Sequence, residues 1–245
     1  MKKIIFEKIK FISFDENEFN KIIQKKGLFV FPAAPALANI NEQESYYNAL
    51  KKSDLAFFDS GFFVLLLKFL KKINVVKFSG YKFLEFLFKY LKTNKYPKIF
   101  LIDPNKNYSN NNFKFIKNLG YKTNNLKNYV APFYNPKKLK DKKLLKFLNK
   151  FKPKFIIINI GGGTQEVLGL YLRDKLKFKC TILCTGAAIS FFTGDQAPIN
   201  SLIDKFYIGW LVRILFNPLL YFKRYLRAFD LIGLVLKSKI QVQKL

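Results

Sequence analysis

Residues 155–166 read FIIINIGGGTQE and combine a short apolar run, three glycines and the start of a helical pattern. The run Phe155–Ile160 is rich in β-branched residues, which is typical of a strand buried on both faces of a sheet. Glycines let the backbone turn sharply and approach a ligand closely, and the N-terminus of a following helix suits an anion. This stretch predicts a strand–turn–helix unit with its turn at the carboxyl end of the strand.

The same alternation extends over most of the chain. Further apolar runs predict strands at Gly27–Pro32, Asp54–Phe58, Asn74–Phe78, Lys98–Ile102 and Cys180–Thr185. Apolar residues at three- and four-residue spacing predict helices at Phe62–Lys72, Tyr81–Lys92, Asn110–Asn118, Lys142–Phe151 and Gln165–Lys175. Together they indicate an α/β fold with a parallel sheet flanked by helices. The polar stretches Asp103–Asn112 and Thr123–Lys143 predict loops or a hinge between two halves.

Composition excludes several kinds of chemistry. The chain has 245 residues, 44 Lys+Arg against 16 Asp+Glu, a net charge of +28 and no histidine, so His-based triads and His-metal sites are absent. Half of the residues are apolar, which excludes a disordered basic tail. Only four of the cations are arginine, so the lysine excess is explained either by a biased genome or by attraction to polyanions.

The location in the cell is predicted from three features. Cys180 and Cys184 lie in an apolar run and are predicted to be buried thiols. The first residues, MKKIIFEKIKFISF, lack the continuous apolar stretch of a secretory signal. No run reaches the roughly 18 uncharged apolar residues that span a bilayer. We therefore expect a cytoplasmic protein that contacts a membrane only at its surface.

Ligands of open α/β sheets bind beyond the carboxyl ends of the strands, where three segments carry suitable groups. Asp59 follows LAFF and is a candidate general base, and Ser60 and Gly61 would expose backbone N–H groups at a helix start. The alternative is that Asp59 only caps this helix.

Two further strand ends are candidates. Gly161, Gly162 and Gly163 could hold a phosphate, with Gln165 and Glu166 available for sugar hydroxyls, although the pattern is neither GxGxxG nor a P-loop and could be a plain turn. Thr185 and Gly186 begin a small-residue segment that could form the floor of a pocket or merely pack closely.

The C-terminal part of the chain differs from the rest. Lys205–Lys223 is strongly apolar, and three of the four arginines, Arg213, Arg224 and Arg227, lie within it or just beyond. Arginine suits bidentate phosphate contacts, so this part is predicted to be an amphipathic helical appendage at the membrane whose arginines close over a diphosphate. A core helix with snorkelling arginines is the alternative. We predict a catalytic domain over 1–200 and this appendage over 201–245.

The order of these motifs resembles the WecG/TagA/CpsF family of bacterial glycosyltransferases, from about Phe31 to Arg227. SDLAFFDSG is similar to the family's AD-x-x-x-PDG, KFSG at Lys77–Gly80 to R-x-x-G, and IGGGTQE to LG-x-PKQE. The block from Gly186 to Arg224 is similar to G-x-x-x-DF-x-x-G-x-x-RAP followed by EW-x-x-R and EP.

The resemblance implies a Rossmann-like, inverting enzyme that transfers an N-acetylmannosamine-like sugar from a UDP-sugar to a polyprenyl-diphosphate-linked acceptor. It further implies surface polysaccharide synthesis and a peripheral position on the inner face of the cell membrane. Asp59 matches the catalytic aspartate, and the matching substrate-binding positions are Lys77, Gly80, Gln165, Glu166, Arg213, Arg224 and Arg227.

Metal ions and cofactors are not expected. Many sugar-nucleotide transferases hold a metal with Asp-x-Asp, a motif that this sequence lacks. Arginines, lysines and helix N-termini would then stabilise the leaving diphosphate. No nucleic-acid partner is expected, and self-association of the chain is left open.

Departures from the family pattern keep other functions open. The family's T-x-N falls on Phe31–Ala33, its DG on Asp59-Ser60, its PK on Gly163-Thr164 and its RAP arginine on Gln196. These changes indicate another donor or acceptor, or an inactive paralogue. A non-catalytic cationic protein that binds anionic lipid or nucleic acid, and a different nucleotide-dependent enzyme, are the remaining alternatives.

Overall fold

A computed structural model describes residues 1–195, 215, 218 and 226–245. Nine described strands form one sheet in the order β6-β5-β7-β8-β3-β4-β2-β1-β9. The strands are β1 (Lys2–Phe6), β2 (Ile9–Ser13), β3 (Gly27–Val30), β4 (Leu55–Phe57), β5 (Ile99–Asp103), β6 (Leu126–Val130), β7 (Phe155–Ile158), β8 (Thr181–Cys184) and β9 (Gln241–Lys244).

Helices cover both faces of this sheet. They are α1 (Phe19–Ile23), α2 (Ala34–Ala38), α3 (Glu44–Lys52), α4 (Gly61–Lys71), α5 (Gly80–Thr93), α6 (Lys106–Asn118), α7 (Lys142–Phe151), α8 (Thr164–Lys175), α9 (Ser190–Thr193) and α10 (Asp230–Lys237). Short 3-10 turns add Glu16–Glu18, Ile40–Glu42, Pro136–Lys138, Gly186–Ile189 and Arg227–Phe229.

The sheet is parallel from β6 to β2, and only β1 pairs antiparallel, with β2 on one side and β9 on the other. Successive strand residues point to opposite faces, so Leu28 and Val30 belong to one apolar cluster and Phe29 to the other. Both faces are therefore buried, which explains the unbroken apolar runs of the central strands. The predicted α/β fold, with a mainly parallel sheet flanked by helices, is confirmed.

Four observed strands were not predicted, and one predicted strand is not part of the sheet. The hairpin β1–β2, the strand β6 and the strand β9 were not predicted, because none of them contains a long apolar run. Asn74–Phe78, predicted as a strand, is an extended segment outside the sheet. It crosses the end of β4, where Phe78 N–H donates to Phe58 O at 3.0 Å.

Both predicted loops contain regular structure. Asp103–Asn112 was wrong as a loop, because α6 begins at Lys106 after Asn105 caps it by accepting from Tyr108 N–H at 3.1 Å. Thr123–Lys143 contains β6, which pairs along its whole length with β5, so this stretch is part of the sheet and no hinge.

The described C-terminal residues pack on the rest of the chain. Helix α10 contacts α2 and α4, and β9 completes the sheet beside β1. No described helix is long and apolar enough to cross a membrane. The predicted helical stretch Lys205–Lys223, with Arg213, lies almost wholly outside the described residues, and Arg224 lies outside them too. The division into 1–200 and 201–245 stays a prediction.

Candidate active site

The three strand ends singled out in the sequence lie on one edge of the sheet. β7, β8, β3 and β4 are consecutive and parallel, so their carboxyl ends meet there. The edge is formed by Asp59–Gly61 after β4, Gly161–Gly163 after β7, and Thr185 with Gly186 after β8. This is the position where open α/β sheets bind ligands.

Asp59 is half-buried and points towards the start of helix α5. Its Oδ1 accepts a hydrogen bond from Gly80 N–H at 2.8 Å. The cap of α4 is Ser60, whose hydroxyl accepts from Phe63 N–H at 3.3 Å, and Gly61 is the buried first residue of that helix. Asp59 is therefore not the cap of α4, and its carboxylate instead accepts from the first residue of α5.

The segment Lys77–Gly80 joins two of the strand ends. Gly80 is buried, and a Cβ added there would lie 3.5 Å from the backbone oxygen of Thr185 and 3.5 Å from the side chain of Ala188. Helix α5 thus begins between the end of β4 and the end of β8. Lys77, three residues earlier, is half-buried on the same segment.

The glycine turn after β7 is open on its outer side. Gly161 and Gly162 are exposed, and a Cβ at either position would meet no atom within 4 Å. Gly163 has φ +89°, a left-handed conformation that favours glycine, and it precedes the first residue of α8. The turn leaves room for a ligand against exposed backbone at a helix N-terminus.

Gln165 and Glu166 are buried beneath this turn. Gln165 Oε1 accepts from Gly186 N–H at 2.7 Å, and its Nε2 donates to Glu166 Oε1 at 2.9 Å. Glu166 Oε2 accepts from Gly163 N–H at 2.7 Å, and burial raises the pKa of Glu166 to about 7. Both side chains therefore hold the ends of β7 and β8 together through backbone groups. These hydrogen bonds position the turn, and the predicted contact of Gln165 and Glu166 with sugar hydroxyls stays a prediction.

Thr185 and Gly186 directly follow β8 and lie between the glycine turn and the start of α5. Gly186 has φ +57° and begins a short 3-10 turn. The hydroxyl of Thr185 is buried with no hydrogen-bond partner among the described residues. Small side chains here allow α5 and the glycine turn to lie close together.

Arg227 is the one predicted C-terminal arginine that the described residues include. It is exposed on the short turn Arg227–Phe229, which packs against α2. In that turn the ring of Phe229 lies 5.7 Å from the ring of Phe62, the residue that follows Gly61. The C-terminal segment therefore reaches the end of α4 that carries Asp59 and Ser60.

The two cysteines are buried, as the sequence predicts. Burial raises the pKa of the thiols of Cys180 and Cys184, that of Cys180 to about 12. In the described ranges, no three His, Cys, Asp or Glu side chains are grouped so that they could hold a metal ion.

Sequence reasoning missed two polar residues at neighbouring strand ends. Asp103 is the last residue of β5, and Asn159 follows β7 directly; both are buried and hydrogen-bonded to each other. The signal was a polar residue at the end of an apolar run. It was overlooked because the following Asn-rich stretch was interpreted as a loop.

The structure defines an open α/β protein that carries polar groups and an exposed glycine turn at the carboxyl edge of its sheet, where proteins of this class bind ligands. The model of the glycosyl transferase WecG/TagA/CpsF family matches residues 6–245, and the chain belongs to this family. Membership implies a glycosyltransferase of cell-surface polysaccharide synthesis. A comparison with curated proteins finds no match.

Proposed function

We propose that the protein is an inverting, metal-independent transferase that moves an N-acetylmannosamine-like sugar from a UDP-sugar to a polyprenyl-diphosphate-linked acceptor. The observation that carries the proposal is the position of Asp59, a half-buried carboxylate on the same sheet edge as the exposed glycine turn. A base and an anion-binding turn on one edge are the two groups that such a transfer needs.

In the proposed reaction, Asp59 takes the proton of the acceptor hydroxyl. The acceptor oxygen forms a bond to the anomeric carbon from one side while the bond from that carbon to the UDP oxygen breaks on the other. One bond forms, one breaks and the proton resides on Asp59. The configuration inverts because attack and departure take place on opposite sides of the anomeric carbon. General base catalysis of this kind contributes typically about 10²–10⁴-fold to the rate.

The leaving UDP carries negative charge that the site must stabilise. The exposed backbone at Gly161 and Gly162 lies before the N-terminus of α8, where helix dipoles favour anions. Lys77 lies on the segment that leads to Gly80, the residue that Asp59 contacts. Arg227 is exposed on the turn beside α4. These positive groups supply in this proposal the stabilisation that other transferases obtain from a metal.

A lipid-linked acceptor requires contact with a membrane, and the surface formed by α4 and α10 supports it. The two helices pack side by side, with Lys71 Nζ donating to Leu236 O at 3.0 Å. Phe69 on α4, Leu236 on α10 and Phe229 in the turn before α10 are 72%, 55% and 58% exposed. Exposed apolar side chains among lysines favour an anionic membrane surface.

We name these residues the α4–α10 surface: Phe69, Leu70, Phe229 and Leu236 with the exposed lysines Lys68, Lys72 and Lys237. Helix α4 begins two residues after Asp59, so this surface continues from the candidate catalytic edge. We propose that it holds the protein on the inner face of the cell membrane while the acceptor enters beside Asp59.

The test is a transfer assay in EDTA with a panel of UDP-sugars and a polyprenyl-diphosphate-linked acceptor. We expect one donor to be used and Asp59→Asn to lower turnover by about 10²–10⁴-fold. The asparagine oxygen can still accept from Gly80 N–H, so the local fold is retained. Glu85→Gln, which removes an exposed carboxylate of α5 paired with Lys89, is the matched control.

Turnover at the wild-type rate in folded Asp59→Asn would contradict the assignment of the base. Transfer that stops in EDTA and returns with a divalent cation would contradict metal independence.

A further inference from the structure

A buried polar cluster lies apart from Asp59, at the carboxyl ends of β5 and β7. It consists of Asp103 at the end of β5, Asn112 on α6 and Asn159 directly after β7. Asp103 and Asn112 are fully buried and Asn159 is nearly so. Three polar side chains are thus enclosed where the rest of the sheet buries apolar ones.

The hydrogen bonds of this cluster converge on one atom. Asn112 Nδ2 and Asn159 Nδ2 each donate to Asp103 Oδ1 at 2.7 Å. A carboxylate accepts and does not donate, so both amides must present nitrogen to it and turn their oxygens elsewhere. Because each amide oxygen shares a carbon with a nitrogen that lies 2.7 Å from Asp103 Oδ1, both oxygens stay within about 5 Å of that atom.

Three acceptor atoms remain without a donor. Asp103 Oδ2, Asn112 Oδ1 and Asn159 Oδ1 are buried and have no hydrogen-bond partner in the part of the chain that the structure describes. Buried polar atoms without partners are rare in proteins and costly. All three are oxygens, so the species that satisfies them must be a donor or a cation.

The charge of Asp103 decides between a neutral donor and a cation. No described lysine or arginine forms an ion pair with Asp103, and an ionised carboxylate enclosed without a counter-charge is strongly unfavourable. We propose that Asp103, Asn112 and Asn159 form a binding site for a monovalent alkali cation, Na⁺ or K⁺. Carbonyl-type oxygens replace the hydration shell of such ions in other proteins. One carboxylate balances a single positive charge, whereas Ca²⁺ sites generally draw on more oxygens and more carboxylates.

The bound ion competes with a proton. Burial raises the pKa of Asp103, against side-chain hydrogen bonds from Asn159, Asn112 and Ser109 that lower it. Without the cation, the carboxyl group would therefore tend to be neutral. The bound cation would hold together the end of β5, helix α6 and Asn159, which lies two residues before Gly161. The inference does not depend on the role of Asp59.

The test is thermal unfolding at constant ionic strength, with choline chloride replaced stepwise by NaCl or KCl. An ion at about 100 times its Kd should raise the Tm by roughly 5 °C or more. Asp103→Asn should abolish this response, because its amide oxygen still accepts from both asparagines while its nitrogen supplies a donor and no charge. Glu85→Gln should respond like the wild type, since that carboxylate is on the surface.

Equal Tm values in choline and in both alkali salts would overturn the proposal, and so would a full response in Asp103→Asn. If that variant does not fold, crystals of the wild-type protein grown in RbCl give an independent measurement. Anomalous signal in contact with the three oxygens supports the site, and its absence there contradicts it.

Discussion

Glu166 is enclosed beneath the exposed glycine turn, where its two oxygens accept from Gly163 N–H and from Gln165. Burial raises its pKa from 4.5 to about 7. A group with a raised folded pKa holds its proton more tightly when folded, so its stabilising effect is complete below pH 4.5 and is lost as the pH rises to 7. Across this range Glu166 should lower the free energy of unfolding by about 3 kcal/mol.

Replacing Glu166 by Gln should therefore flatten the fall in stability between about pH 4.5 and about pH 7. Urea unfolding at several pH values measures this. The buried Asp103 contributes a slope of the same sign, so the informative quantity is the difference between variant and wild type. Glu85→Gln serves as the surface control, and a wild-type slope in Glu166→Gln would show that another group is responsible.

For single residues, the sequence predicted positions in the fold better than it predicted hydrogen-bond partners. Asp59 was predictable as a strand-end carboxylate because it directly follows LAFF. The partner of Gln165 was not, because Gly186 N–H comes from the end of β8 and backbone groups leave no trace in composition. The cluster around Asp103 was missed because α6 was predicted to begin at Asn110, whereas it begins at Lys106, shortly after β5.

At the scale of elements, the membrane proposal depends on the pairing of α4 with α10. Changing both Phe69 and Leu236 to Ser should weaken binding to vesicles with anionic lipid at least about tenfold, because each exposed apolar side chain contributes roughly 1.5–3 kcal/mol when buried. Co-sedimentation with vesicles measures this, and thermal unfolding checks that the variant is folded.

Phe133→Ser is the matched control. Phe133 is fully exposed between β6 and α7, on the opposite border of the sheet. Its loss should leave vesicle binding unchanged. Wild-type binding by the double variant, or an equal loss in Phe133→Ser, would exclude the α4–α10 surface as the specific contact.

The elements that sequence predicted are those with one clear apolar period. Helix α7 was predicted over its observed bounds, and β7 and β8 were found within one or two residues of theirs. Helix α6 was predicted short because Ser109 and Asn112 occupy its inner side, where apolar residues would give the period. β9 could not be predicted, because all four of its residues are exposed and it exists through pairing with β1.

At the scale of the whole molecule, the net charge of +28 sets the sign of the protein's interactions. Binding to anionic vesicles should fall at least about tenfold between roughly 50 mM and 500 mM salt, because surface charges are screened. Vesicles of neutral lipid serve as the control and should show weak, nearly salt-independent binding. Salt-insensitive binding to anionic vesicles would mean that apolar contact alone holds the protein there.

Vesicle binding measured together with sugar transfer distinguishes an enzyme from a purely cationic binding protein. Asp59→Asn should bind vesicles like the wild type, because it lies outside the α4–α10 surface. If the protein is an enzyme, this variant loses sugar transfer but still binds vesicles. A non-catalytic binding protein shows no transfer in either form.

The pairing of β1 with β9 also bears on how each copy is made. The outer neighbour of β1 lies at the opposite end of the sequence, and at about 5–20 residues per second the ribosome needs roughly 12 to 50 s to reach it. During that interval a nascent chain carries an unpaired strand border, which can pair with another nascent chain on the same message. Lys2 and Lys3 lie on β1, and their positive charges would repel the same strand of a second copy, which favours pairing of β1 with β9 within one chain.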